Sequence, residues 1–150
     1  MTTPPYLKKG DKIALVSPAR KVTPEEISPA KELFESWGLE VVEGENLYAA
    51  YNQFAGSDAQ RTADMQRALD DDSIRAIVCS RGGYGTVRII DRLDFNRFAS
   101  HPKWIVGFSD ITVLHSHIHR HLNIETLHAI MPVNIRERCE SDRSLSSMRK

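Results

Sequence analysis

The chain has little of what would mark a secreted, membrane-bound or nucleic-acid-binding protein. Its 150 residues hold only two cysteines, Cys79 and Cys139, too few for a disulfide framework and spaced like no metal site. It has no excess of either charge: 20 Lys and Arg stand against 20 Asp and Glu, so no global field draws in DNA, RNA or an anionic membrane, and nucleic acid is not an expected partner. Long apolar runs are missing too. The first ten residues, Met1-Thr-Thr-Pro-Pro-Tyr-Leu-Lys-Lys-Gly10, have no apolar core of the kind a signal peptide needs, and nothing later approaches the length of a membrane span. These absences imply no membrane association and a cytoplasmic location. What remains is one domain of ordinary size, 41% hydrophobic, long enough to bury a core.

Strand-period and helix-period segments alternate along the chain, the pattern of an α/β domain with a mostly parallel open sheet and flanking helices. The first strand is expected over Lys12–Ser17. A helix follows with Ala30, Leu33, Phe34 and Trp37 on one face, at i, i+3, i+4 and i+7. Its entrance is marked twice, by a capping box at Thr23-Pro-Glu-Glu26 and by Ser28-Pro29, and Gly38 should end it. A second strand covers Leu39–Val42. A second capping box, Ser57-Asp-Ala-Gln60, opens a helix that reaches about Leu69, and three acids, Asp70 to Asp72, should fray its end by opposing the dipole. The third strand is Arg75–Cys79, followed by a short helix through Val87, Ile90 and Leu93 and a loop to Pro102. The fourth is Trp104–Phe108. A helix with Ile111, Leu114, Ile118 and Leu122 on one stripe comes next, then a fifth strand over Ile124–Ile130 that stops at Pro132.

The most informative stretch is Trp104-Ile-Val-Gly-Phe-Ser-Asp-Ile-Thr112, an apolar run that stops at Gly-x-Ser and turns into a helix. Ser109 can be read as a nucleophile on a sharp strand-to-helix turn, with the N–H of Asp110 offered to an oxyanion. It can also be read as the N-cap of that helix. Gly107 fits the elbow pattern, while Ile111 stands where its second glycine would be.

In an open α/β sheet the ligand site lies beyond the carboxyl ends of the strands. Ser17, the loop Arg81-Gly-Gly-Tyr-Gly85 and Ser109 all fall there. The loop lacks the third glycine of a dinucleotide fingerprint, because Arg88 occupies that place. It is either a tight turn or a set of backbone donors, Gly82 and Gly83, that completes an oxyanion hole. Arg81 could hold a substrate carboxylate or sit in a surface ion pair. His128, near the end of the fifth strand, could orient or deprotonate a group in the crevice, or simply pack. Four histidines, His115, His117, His119 and His121, form two i, i+4 pairs on opposite flanks of the fourth helix. Either pair could supply two metal ligands, but no glutamate completes a zinc motif, and the alternative, on which no metal is expected, is a partly exposed helix whose histidines border the core. Cys79 is either a buried thiol or a nucleophile whose partner comes from elsewhere in the fold.

Taken in order, these blocks resemble the LD-carboxypeptidase family of serine peptidases, which includes muramoyl-tetrapeptide carboxypeptidases and microcin C immunity peptidases. The blocks are Ser17-Pro-Ala19, Gln60-Arg61 with Ala68-Leu-Asp-Asp71, Arg81-Gly-Gly-Tyr-Gly85, Gly107-Phe-Ser-Asp-Ile-Thr112 and Leu127-His128. The resemblance implies an N-terminal domain like that of class I glutamine amidotransferases, flavodoxin-like in outline, spanning residues 1–135. It implies release of a terminal D-alanine from murein tetrapeptide in peptidoglycan recycling, with a microcin-type amide hydrolase or a non-catalytic ligand-binding module as alternatives. Ser109 matches the family's nucleophile. Asp110, Gly82 and Gly83 match its oxyanion hole, and Arg81, Tyr84, Ser17 and His128 are the expected substrate contacts. No metal or other cofactor is implied, and a homodimer is expected of the full-length protein. The family's triad glutamate and histidine have no match here and are expected beyond residue 150, with residues 136–150 a linker or the start of a second domain. On that reading residues 1–150 alone are nearly inactive, and the apolar face that would dock the second domain favours self-association.

Overall fold

A computed structural model describes residues 1–136 and 143–148; Cys139 lies outside the described residues. Five strands, β1 (Lys12–Val16), β2 (Glu40–Glu43), β3 (Ile74–Cys79), β4 (Trp104–Gly107) and β5 (Leu127–His128), form one sheet in the order β2-β1-β3-β4-β5. Every pairing is parallel. The expected open parallel sheet with flanking helices is therefore what the chain forms, in the flavodoxin-like strand order.

Side chains alternate across the strands and build a core on each face. Ala14, Val16, Ile77, Cys79 and Ile105 face α2 (Asp58–Asp70) and α4 (Thr112–Leu122), with Met65, Leu69, Leu114 and Ile118 packed on them. Ile13, Leu15, Ala76, Val78 and Val106 share the opposite cluster with Ile27, Ala30 and Phe34 of α1 (Pro24–Ser36) and Leu145 of α5 (Arg143–Met148). Each such side chain, fully buried, contributes about 1.5–3 kcal/mol, so losing a whole face would unfold the domain. The chain leaves β1 toward β2 and β3 toward β4, so the order reverses between β1 and β3. In sheets of this kind such a reversal is where ligands bind, beyond the carboxyl ends of the strands.

Both capping boxes form. The Thr23 side chain accepts from the N–H of Glu26 and that of Ser57 from the N–H of Gln60, with the glutamate and glutamine side chains reaching back. Ser28-Pro29 is not a second entrance. Thr23 has already started the helix, Pro29 sits inside it, and the Ser28 hydroxyl donates to Glu32 instead.

Four other expectations are corrected. The segment through Val87 and Ile90 is two 3₁₀ turns, Thr86–Arg88 and Ile90–Arg92, closed by Arg88 N–H to Gly85 O, Ile89 N–H to Thr86 O and Arg92 N–H to Ile89 O. The loop before Pro102 holds a short helix, α3 (Asn96–Ser100), with Phe98 buried against the core. The fifth strand has only two residues, because β4 offers rungs at Val106 and Gly107 alone, while Ile124 bridges to Thr2. The end of α2 is also held: buried Lys103 donates to the carbonyls of Ala68 (2.9 Å) and Asp71 (2.6 Å), and Arg97 pairs with Asp72. A cation on the last carbonyls supplies what the three acids take away.

Candidate active site

The peptide chain turns sharply at the end of β4. Ser109 has φ +60°, a left-handed conformation that costs a residue with a Cβ about 1–2 kcal/mol and that tends to persist where the surrounding structure demands it. Ser109 is exposed and opens a 3₁₀ turn, Ser109–Ile111, that runs into α4. It is not the N-cap: Phe108 holds that position before the turn, Ile111 before α4, and neither end has a side-chain cap. Gly107 is required by close approach, since a Cβ there would lie 2.9 Å from both Cγ1 and Cγ2 of Ile111. Ile111, which spoils the sequence pattern, is thus the residue that packs into the space the first glycine leaves.

The glycine loop lies directly on this turn. A Cβ on Gly82 would stand 3.3 Å from the backbone nitrogen of Asp110, 3.3 Å from Ser109 Cβ and 3.4 Å from Met131 Cε. Gly82 is buried, Gly83 exposed. Gly83 has φ +109° and packs on Arg20, whose Cδ would be 2.5 Å from an added Cβ. The structure therefore brings together Ser109, Asp110 and Gly82, while Gly83, next along the loop, faces Arg20 instead. The carboxylate of Asp110 accepts from both the N–H (3.0 Å) and the hydroxyl (2.8 Å) of Thr86, just past the loop.

The remaining predicted residues sit less centrally. Ser17 is buried at the end of β1. Its hydroxyl donates to Leu47 O (2.8 Å) and shares a 2.6 Å hydrogen bond with Ser80 at the end of β3. It ties the strand ends together beneath the crevice. Arg81 turns toward α1, 3.8 Å from Glu26 and 3.5 Å from Lys21 O. Tyr84 is exposed beside Phe54, ring centres 6.1 Å apart. His128 is exposed and lies near Phe108, ring centres again 6.1 Å apart. With Phe108, Leu127 and Asn134 it lines a groove of about 500 Å³.

The four helix histidines do not converge on a metal. His115 is buried and its Nε2 lies 2.9 Å from Gly107 O, so Nε2–H donates and Nδ1 is left without a partner among the described residues. His119 bonds Thr126, His117 stacks on Phe95, and no group of three or more metal-binding side chains forms among the described residues. Burial pushes the pKa of His115 down, partly offset by its bond to Gly107. Burial drives the Cys79 thiol far up, with the Asp110 charge adding to it. A fully buried thiol held neutral is a core residue.

Two residues of the site were not assigned roles from the sequence. Arg61 is 2% exposed. Its Nη1 donates to Pro18 O (2.8 Å) and Gly85 O (2.9 Å), its other arm pairs with Asp58, and the guanidinium lies 4.8 Å from the Phe54 ring centre. Burial lowers its pKa and the Asp58 charge works against that. Its position on the apolar stripe of α2, with Met65, Ala68 and Leu69, was the available signal. Arg20 lies against Gly83 and forms no ion pair among the described residues.

A family model described as the LD-carboxypeptidase N-terminal domain matches residues 13–129. A Bacillus subtilis protein named "Probable murein peptide carboxypeptidase" is 38% identical over 128 residues, which is 85% of this chain and 40% of the relative. The murein tetrapeptide carboxypeptidase of Pseudomonas aeruginosa is 36% identical over 111 residues, 73% of this chain and 36% of that protein. Among solved structures, a muramoyltetrapeptide carboxypeptidase from Oxalobacter formigenes superposes with TM-score 0.79 at 26% identity, covering 91% of this chain and 46% of the other. The microcin C7 self-immunity protein MccF, in complex with aspartyl sulfamoyl adenosine, reaches TM-score 0.91 at 21% identity over 100% of this chain and 46% of its own. The chain spans less than half the length of each of these proteins.

Proposed function

Because the chain belongs to the LD-carboxypeptidase family, whose N-terminal domain it carries, we propose that the protein is a serine carboxypeptidase that releases the terminal D-alanine of murein tetrapeptide. The observation that supports this most is the turn itself, with Ser109 at φ +60° and Gly82 packed against the backbone nitrogen of Asp110. In the proposed reaction the Ser109 oxygen attacks the scissile carbonyl carbon and its proton passes to a base. The carbonyl oxygen, now an anion, accepts from the Asp110 N–H and the glycine loop. The intermediate collapses with the proton delivered to the leaving D-alanine amine, and water then hydrolyses the acyl-serine. By family resemblance the histidine and glutamate that supply and orient the base follow residue 150, with His128 the internal alternative. Arg81, Tyr84 and His128 are the proposed substrate contacts on the rim, and Ser17 supports them from below. The reading includes a cytoplasmic, homodimeric enzyme of peptidoglycan recycling, which rests on the family alone.

A second reading, a microcin-type amide hydrolase, uses the same serine and oxyanion hole on a different acyl group. It is favoured by the likeness to an MccF-like protein from Bacillus anthracis, TM-score 0.84 at 26% identity. The test is D-alanine release from murein tetrapeptide by the full-length protein and by its Ser109→Ala variant. Release that disappears with Ser109 supports the carboxypeptidase. A folded full-length protein that releases none points to the second reading, and equal release by both forms overturns Ser109 as nucleophile.

A further inference from the structure

The peptide unit between Gly85 and Thr86 is held from both sides. Its carbonyl, on Gly85, accepts from the buried Arg61 guanidinium at 2.9 Å. Its N–H, on Thr86, donates to Asp110 Oδ2 at 3.0 Å, and the Thr86 hydroxyl donates to the same oxygen at 2.8 Å. Thr86 is fully buried. One peptide plane thus joins α2, the glycine loop and the nucleophile turn.

The donors proposed for the oxyanion come from two different segments. One is the N–H of Asp110, on the turn after β4; the others lie in the loop after β3, a few residues before Thr86. No strand rung joins those segments, because the β3–β4 ladder ends at Val78 and Val106. Donors aimed at a developing charge lose effect steeply when misplaced, so the spacing between the segments must be fixed by some contact. The Thr86–Asp110 pair is the hydrogen-bonded contact between them, alongside the packing of Gly82 on the turn, and the carboxylate it grips belongs to the very residue whose N–H faces the site.

The pair also answers an electrostatic difficulty. A carboxylate beside an oxyanion would repel it, yet Asp110 is half-buried there. Two hydrogen bonds from Thr86 and attraction to the Arg61 charge turn that carboxylate inward.

We propose that Thr86 and Asp110 are positioning residues of the hydrolytic reaction, their double hydrogen bond setting the distance between the two halves of the oxyanion hole. This rests on the peptidase reading of Ser109. Thr86→Val keeps the shape and the N–H but removes the hydroxyl, Thr86→Ser restores the hydroxyl, and Asp110→Ala removes the acceptor from the more exposed side. In the full-length protein on murein tetrapeptide, Thr86→Val and Asp110→Ala should lower kcat by about tenfold or more while KM stays within about twofold, and Thr86→Ser should recover to within about threefold of the parent. Amide hydrogen exchange at Ile111, whose N–H donates to Phe108 O within the turn, should quicken in both damaging variants, with exchange in β3 unchanged.

Parental kcat in Thr86→Val, a rise in KM that accounts for the loss, or a serine variant as damaged as the valine one would each overturn the proposal. If the parent and Ser109→Ala are alike in releasing no D-alanine, the peptidase reading fails by itself. Exchange at Ile111 then decides the clamp: unchanged rates in Thr86→Val and Asp110→Ala sink it, and faster rates uphold it.

Discussion

Ile111 covers the face of Gly107 from which a side chain would project, with Cγ1 and Cγ2 each 2.9 Å from the place of an added Cβ. Both residues are buried, Ile111 at 0% exposure, so neither can move away without disturbing the packing of α4 on the sheet. Gly107→Ala should therefore cost about 1–3 kcal/mol of stability, the usual range for overpacking, and lower turnover further by shifting Ser109. Urea unfolding and kcat measured on one preparation check this. Adding Ile111→Ala should restore part of the turnover; no recovery would show that the glycine is needed for some reason other than this contact.

Arg61 and Arg88 both pair with Asp58, and their environments set very different expectations. Arg88 is exposed, and its loss should change stability little. Arg61 is buried, and Arg61→Met would strip the carbonyls of Pro18 and Gly85 of their donor. Each buried acceptor left unpaired costs about 1–3 kcal/mol, while Asp58 keeps Arg88 and Arg92. Arg61→Met should lower the unfolding free energy by several times the effect of Arg88→Met. Equal losses in denaturant titrations would mean that the two carbonyls find other partners.

The parts of this fold legible in the sequence are those written locally. Thr23 and Ser57 announce their helices because a capping box spans four residues, and β1, β3 and β4 show as apolar runs because both sheet faces bury them. Ser109 was readable as strand, turn and helix, although its half-matched motif became intelligible only when Ile111 was seen filling the place left open at Gly107. What was illegible depends on contacts distant in sequence. Nothing near Asp70 to Asp72 reveals that Lys103 will reach back to their helix end, and no periodicity says that Thr86 grips Asp110. The 3₁₀ turns after the glycine loop carry the pattern of a short helix because both structures place apolar residues three apart.

His115 and His117 both have pKa values lowered chiefly by burial. Unfolding exposes them, so as pH falls through the ordinary histidine value, about 6.5, the unfolded chain binds protons before the folded one does. Their stabilising contribution is complete above that pH and is lost below it, toward the folded pKa values. Asp58, Asp71 and Asp72, held below the usual carboxylate range chiefly by hydrogen bonds from Arg88, Ser73 and Arg97 respectively, act only at lower pH. Stability should therefore fall between pH 7.5 and 5.5, and less in His115→Gln, which can still donate to Gly107 O. A flat or rising profile in that window would rule out buried neutral histidines as its source.

Arg20 and Arg81 flank the glycine loop, and the structure distinguishes them. Arg81 leans toward Glu26 and the carbonyl of Lys21, while Arg20 lies on Gly83 with its Nε 3.1 Å from the place of an added Cβ. An enzyme that removes a terminal residue must sense a carboxylate one residue beyond the scissile carbonyl. A guanidinium beside the glycine loop, forming no ion pair among the described residues, suits that need. Losing a hydrogen bond between charged groups costs about 1.5–3 kcal/mol, so Arg20→Gln should raise KM for murein tetrapeptide by roughly ten- to a hundredfold with kcat little changed. The same variant should act on a tetrapeptide amidated at its C-terminus much as the parent does, because that substrate has no carboxylate to lose. Arg81→Gln should have the smaller effect on the acid. An Arg20→Gln penalty equal for acid and amide would refute carboxylate recognition, and a larger penalty from Arg81→Gln would return that role to the residue the sequence first suggested.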